Sequence, residues 1–195
     1  MKRKTFDVLV SVTGLFLALV LVVSGSLLAW ASHFVSDQVT TQLSAQKIFF
    51  PPAGSPATEG AEFAQMRQYS GQQLTTGAQA QVYANDFIAV HLEEAGGGKT
   101  YAELSSAAQA APDDAKLQAQ VATMFKGETL RGLLLNAYAF GTMGMIAGIA
   151  AIAAFIAAAV MLALGVLGLV HARRVDSDVE LLRERTSSDP VPSNA

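Results

Sequence analysis

Polar and apolar positions fall in blocks along this chain, and two of the apolar blocks are long enough to cross a bilayer. Residues 133–170 read LLLNAYAFGTMGMIAGIAAIAAFIAAAVMLALGVLGLV, thirty-eight positions without a charged side chain, ended by His171, Arg173 and Arg174. A helix rises about 1.5 Å per residue, so this run is about 57 Å long against a hydrocarbon core of about 30 Å. Residues 8–30, VLVSVTGLFLALVLVVSGSLLAW, form a second uncharged run that matches a single span. The pattern predicts transmembrane helices at 8–31 and 148–170, with the surplus of the second run standing outside the hydrocarbon. Trp30 suits an aromatic belt at the end of the first span.

Between the runs the period stays helical. Val35, Val39 and Leu43 recur every four residues beyond Trp30, so the first helix continues out of the membrane until Pro51-Pro52 forbids it. A weak helix is expected near 61–69. A firmer one opens at Thr76 or Gly77, with Ala80, Tyr83, Ala84, Phe87, Ile88 and Leu92 on one face, and ends at Gly96-Gly97-Gly98. Thr100 and Glu103 have capping-box spacing, and Asp113 or Asp114 caps the last helix, which runs without a proline into the second apolar run. No convincing period-2 alternation appears. The fold class expected is all-α: two long transmembrane helices extending into a small extracytoplasmic helical bundle over 32–147.

Equal rise along two antiparallel helices gives a depth register. With Val8 level with Val170, Trp30 falls opposite Gly148, Phe34 opposite Gly144, Gln42 opposite Asn136 and Lys47 opposite Arg131. Gly141, Gly144 and Gly148 would permit close helix approach, and Asn136 would bond Gln42. Residues 133–147 are accordingly expected as a buried stalk packed on Phe34, Val35, Val39 and Leu43.

Composition sharpens the topology. Hydrophobic residues make up 51% and charged residues 15%, where soluble domains carry about 25% charged. The MKRK start and the HARR after the second run place residues 1–7 and 171–195 in the cytoplasm by the positive-inside rule, the latter largely disordered beyond a helical turn or two bearing Val175, Val179 and Leu182. MKRK, an apolar run and Ala29-Trp30-Ala31 also have the form of a signal peptide, but a run of twenty-three residues exceeds the usual h-region of about 7–15, so an uncleaved anchor is expected. The segment 32–137 holds six Lys/Arg against ten Asp/Glu, a net of −4, which argues against nucleic acid as a partner. There is no cysteine, hence no disulfide and no thiol chemistry.

Candidate chemistry is thin. Gly98-Lys99-Thr100 resembles the end of a phosphate loop, but Glu93 occupies the position of the required earlier glycine. His33, His91 and His171 fall at different depths, so no ligand set converges and neither metal nor cofactor is expected. His91, on the margin of an apolar face, is a residue of possible interaction, as are Glu128 and Arg131, three apart on one helix face. Glu93-Glu94 and Asp113-Asp114 are adjacent, so their side chains diverge rather than flank a substrate. The spans contain no ionisable residue of the kind that marks an ion path.

The segments KIFFPP (47–52), YSGQQLTTGAQAQVYANDFIAVHL (69–92), GGKTYAELS (97–105) and FKGETLRGLLLNAYAF (125–140) resemble a family of small two-pass membrane proteins of actinobacteria. The likeness covers most of residues 1–174 and implies the two-pass topology. Members sometimes carry the label aromatic ring-opening dioxygenase. Such an iron enzyme needs two histidines and a carboxylate on one metal, and the separated histidines here argue against it. The expectation is therefore a non-enzymatic plasma-membrane protein, an accessory, assembly or scaffold subunit. Its partners would be the lipid bilayer and another membrane or envelope protein, or further copies of itself. An extracytoplasmic ligand sensor signalling through a partner protein is the alternative.

Overall fold

The computed structural model describes residues 3–174, and these are mostly helical, without a strand. Helix α1 spans Arg3–Ala45, α2 Ala64–Arg67, α3 Gly77–Val82, α4 Ala89–Gly96, α5 Tyr101–Ala110 and α6 Ala115–Arg174. A π-helical segment, Tyr83–Ile88, joins α3 to α4, and 3₁₀ turns occupy Pro56–Thr58 and Ala61–Phe63. The expectations for the first two residues and for the tail beyond Arg174 lie outside the described residues. The chain divides into two compact units, one of residues up to Leu27 with those from Ala150 onward, the other of Leu28–Ile149.

The first unit pairs the start of α1 with the end of α6, the two helices long and apolar enough to cross a membrane. Its packing is inside-out relative to a protein in water. The buried positions are Ser11, Ala18, Gly25, Ala151, Ala158, Gly165 and Ala172, whereas Phe16, Leu19, Leu27, Ile152, Ile156 and Leu167 face outward. Small residues inside and large apolar ones outside suit a lipid solvent, which gives no reason to hide leucine but rewards close helix contact. Two of the hydroxyls in this unit bond back one turn, Ser11 Oγ to the Asp7 carbonyl (2.7 Å) and Ser26 Oγ to the Val22 carbonyl (2.8 Å).

The second unit packs in the ordinary sense. One core gathers Val39 and Leu43 of α1, Phe50, Phe63, Met66, Leu74, Ala80, Ala84 and Leu134 of α6. A smaller one holds Leu92, Leu104 and Met124. After α1 the chain makes an αL turn at Lys47 (φ 53°) and runs extended, so that Phe50 N–H donates to the Gln72 carbonyl and Leu74 N–H to the Ile48 carbonyl, each at 2.9 Å. This two-rung pairing is too short for a period-2 signal. It sends Phe49 to solvent and Phe50 into the core, 55% and 2% exposed. Gln73 Nε2 donates to the Ser44 carbonyl and so satisfies the end of α1.

The helix ends follow their sequence signals. Thr100 and Glu103 form the expected capping box, Asp114 Oδ1 accepts from Leu117 N–H, and Gly97 closes α4 in the left-handed region at φ 61°. A second capping box, Thr76 with Gln79, starts α3 and was not anticipated from the pattern. The 61–69 helix reduces to a 3₁₀ turn and the single turn of α2, braced by Arg67 Nη1 donating to the carbonyls of Thr58 (3.0 Å) and Gly60 (2.8 Å).

Candidate functional site

The expected metal-ligand types do not converge. Among the described residues no three His, Asp or Glu side chains come together. His91 sits between the rings of Phe63 and Phe87, with centroids 5.8 and 4.4 Å away, and its Nδ1 lies 2.8 Å from the Phe87 carbonyl. A carbonyl only accepts, so Nδ1 carries the hydrogen and the ring is oriented from within its own helix. His91 belongs to an aromatic chain that continues through Phe87–Tyr83 (5.0 Å) and Tyr83–Phe50 (5.4 Å, edge to face). Burial in this chain pushes the Tyr83 hydroxyl pKa up. His33 is exposed, and His171 lies by Asp7 and Ser11 at the far end of the apolar unit. The glycines before Lys99 are a helix stop and Thr100 a helix start, with Gly98 also at positive φ.

Glu128 and Arg131 form an ion pair of 3.4 Å on the surface of α6, and Arg131 Nη2 also reaches Asn85 Oδ1 at 3.5 Å. The π segment carries Asn85, so Arg131 ties α6 to it. A partly exposed pair of this kind contributes at most about 1 kcal/mol.

The glycines of α6 divide by partner. A Cβ built on Gly144 would lie 3.1 Å from the Val35 side chain, and one on Gly148 would lie 2.9 Å from Ser32 Oγ, so both face α1. The depth register is thus correct to within one or two residues inside this unit. Gly141 instead meets Gly77, whose own Cβ would sit 3.0 Å from the Ala137 carbonyl oxygen. Asn136 and Gln42 are both exposed and share no hydrogen bond. Sequence reasoning missed Gly77, and also Gly165 and Gly168 of the apolar unit, which press on Leu15 and Ser11. Small-residue spacing along α6 was the available signal for the last two; nothing local marks Gly77.

The stalk expectation fails for one face. Leu134 is buried beside Val39 and Leu43, but Phe34, Leu133 and Phe140 stand 51%, 57% and 55% exposed. Phe34 precedes Val35 by one position, about 100° around the helix, and so falls off the core stripe. These three side chains with Gln38, Gln42 and Gln46 border an open groove of about 510 Å³ without a charged residue. A second cleft of about 300 Å³ lies between α1, α6 and the start of α3; half of its lining residues carry a hydroxyl, and the rest of its wall is apolar.

The start of α5 carries a pH dependence. Backbone and side-chain hydrogen bonds from Thr100 hold the exposed Glu103 carboxyl below its ordinary value of 4.5. A depressed folded pKa stabilises the fold above the unfolded pKa, and that contribution disappears as pH falls through the folded one. Replacing Glu103 by Gln is therefore expected to lower the unfolding temperature at pH 6–7, by an amount that shrinks as pH falls through the depressed pKa of the folded carboxyl. A gap that stays constant with pH would contradict this account.

Comparison of the chain with protein-family models, curated proteins and solved structures finds no match.

Proposed function

We propose that this chain is a non-enzymatic integral membrane protein, two-pass with both termini cytoplasmic. In this reading it is an accessory, assembly or scaffold subunit that acts through an extracytoplasmic helical domain. The groove bordered by Phe34, Leu133 and Phe140 carries the reading. Apolar surface removed from water contributes about 25 cal/mol per Å², and contiguous apolar patches on folded domains mark contact sites. Three glutamines at four-residue spacing line its rim, and as neutral donors and acceptors they suit a protein partner better than a charged ligand. Another membrane or envelope protein, or a second copy of the chain, is the expected occupant.

The test is a mild-detergent pull-down with quantitative mass spectrometry, wild type against Leu133→Gln/Phe140→Gln. Both side chains are exposed, so the variant should keep its unfolding temperature. Recovery of a specific partner, or self-association as read on native gels, should fall at least tenfold. Equal recovery of every co-purifying protein from the two forms, with no change in oligomeric state, would remove the reading. The runner-up, a ligand sensor signalling through a partner protein, draws its support from the hydroxyl-lined cleft.

A further inference from the structure

The cleft of about 300 Å³ between α1, α6 and the head of α3 collects hydroxyls from several directions. Ser32, Ser36 and Thr40 come from successive turns of α1, and Tyr138 and Thr142 from successive turns of α6. Some helical hydroxyls of this unit are already engaged, Ser106 with the carbonyl of Ala102 (2.9 Å), Thr123 with that of Ala119 (3.0 Å) and Thr129 with that of Phe125 (2.7 Å). A sixth lining hydroxyl, that of Thr76, accepts from Gln79 N–H in the capping box, whereas none of the five from α1 and α6 makes a hydrogen bond to another described residue. Their capacity, one donor and two acceptor lone pairs each for the aliphatic ones, is free.

No charged side chain lines the cleft, and its floor is apolar where Val39, Gly141 and Gly144 meet. The floor is also close-packed: Gly141 lies against Gly77, and Gly144 against Val35. A volume of about 300 Å³ stands at the lower end of small-molecule sites, about 300–1,000 Å³, room for a single ring with its substituents.

We infer that this cleft binds a neutral polyhydroxylated ring, a sugar unit or a cyclitol. Hydroxyl pairs with hydroxyl as both donor and acceptor, so five free hydroxyls complement a ligand whose periphery is hydroxyls. The apolar floor and the Tyr138 ring complement the C–H faces of such a ring. Phosphate, carboxylate and ammonium ligands gain nothing here, because no opposite charge meets them. The inference is independent of the partner groove, which lies on the other flank of α1: Ser32, Ser36 and Thr40 form one four-residue stripe, and Gln38, Gln42 and Gln46 another.

Saturation-transfer NMR on the full chain in lipid nanodiscs tests this, with glucose, galactose, mannose, N-acetylglucosamine and myo-inositol as probes. Sugar-headed detergents are kept out of that arm and form the second, with octyl glucoside as the lipid-linked source of the same chemistry. At least one probe should show transfer, weakened tenfold or more by Thr40→Val/Thr142→Val and unchanged by Thr123→Val, whose hydroxyl is already bonded outside the cleft. Transfer from octyl glucoside alone assigns the site to a glycolipid headgroup, and transfer from free sugars assigns it to soluble ligand. Absence of transfer in both arms, or transfer that the double variant leaves intact at unchanged unfolding temperature, overturns the inference.

Discussion

Phe50→Ala will destabilise the helical domain by about 3–5 kcal/mol, the range for deleting a buried phenyl ring that its neighbours cannot replace. Phe50 is 2% exposed, its ring 5.2 Å from that of Tyr69 and 5.4 Å from that of Tyr83. Those neighbours cannot close the gap easily. Tyr69 follows the single turn of α2, and Tyr83 opens the π segment, so both are held by the main chain. Domains are stable by only about 5–15 kcal/mol, so the loss takes a large share of the total. Phe49→Ala serves as the control: its side chain is 55% exposed, and the expected cost is below about 0.5 kcal/mol. Urea unfolding of the full chain in mild detergent measures both, and similar values for the two variants would contradict the inward placement of Phe50.

Gly165→Leu is expected to part the helices of the apolar unit. A Cβ at this position would lie 2.9 Å from the Leu15 side chain and 3.2 Å from the Ser11 carbonyl oxygen. The leucine side chain can rotate away; the main-chain oxygen cannot. The usual cost of overpacking, about 1–3 kcal/mol, is therefore a lower bound here. The helices have no large buried side chains to keep them together once the backbones separate, because their buried positions are Gly, Ala and Ser. Crosslinking gives the measurement without background, since the chain lacks cysteine. A Cβ on Gly168 would stand 3.3 Å from Ser11 Cβ, close to disulfide geometry of about 3.5–4.5 Å, so Ser11→Cys/Gly168→Cys should oxidise readily. Adding Gly165→Leu to that pair should lower the yield several-fold. Undiminished crosslinking would mean that the contact is looser than the glycines imply.

Much of this architecture is legible from the residues alone, because apolar runs and capping signals are local. The two long helices, the stop at Gly97 and the start at Thr100 each follow from a few adjacent side chains. What escaped depends on distant partners. Phe34 and Phe50 look alike in sequence, yet one is exposed and the other buried. The difference for Phe50 comes from pairing with residues more than twenty positions later, and for Phe34 from a rotation of one residue off the Val35–Leu43 stripe. The small-residue spacing on α6 correctly marked a packing surface, but not that Gly141 meets Gly77 while Gly144 and Gly148 meet α1. Ser32, Ser36 and Thr40 were not anticipated from the sequence, and only the fold brings Tyr138 and Thr142 to the same cleft.

The π segment at Tyr83–Ile88 acts as a phase shifter. Ala80 upstream of it and Ala84 within its first turn point at the larger core with Leu134; downstream, Leu92 and Gly96 meet Met124, Leu104 and Gly127. A bond from Ala89 N–H to the Ala84 carbonyl, spanning five residues, marks the extra residue that retards the following turns by about 100°. One rod thereby addresses two cores that do not lie on a single helical line. Deleting a residue here would leave hydrogen bonding intact and swing the Leu92 face out of register, which makes the segment a gear between the two cores rather than a flaw in the helix.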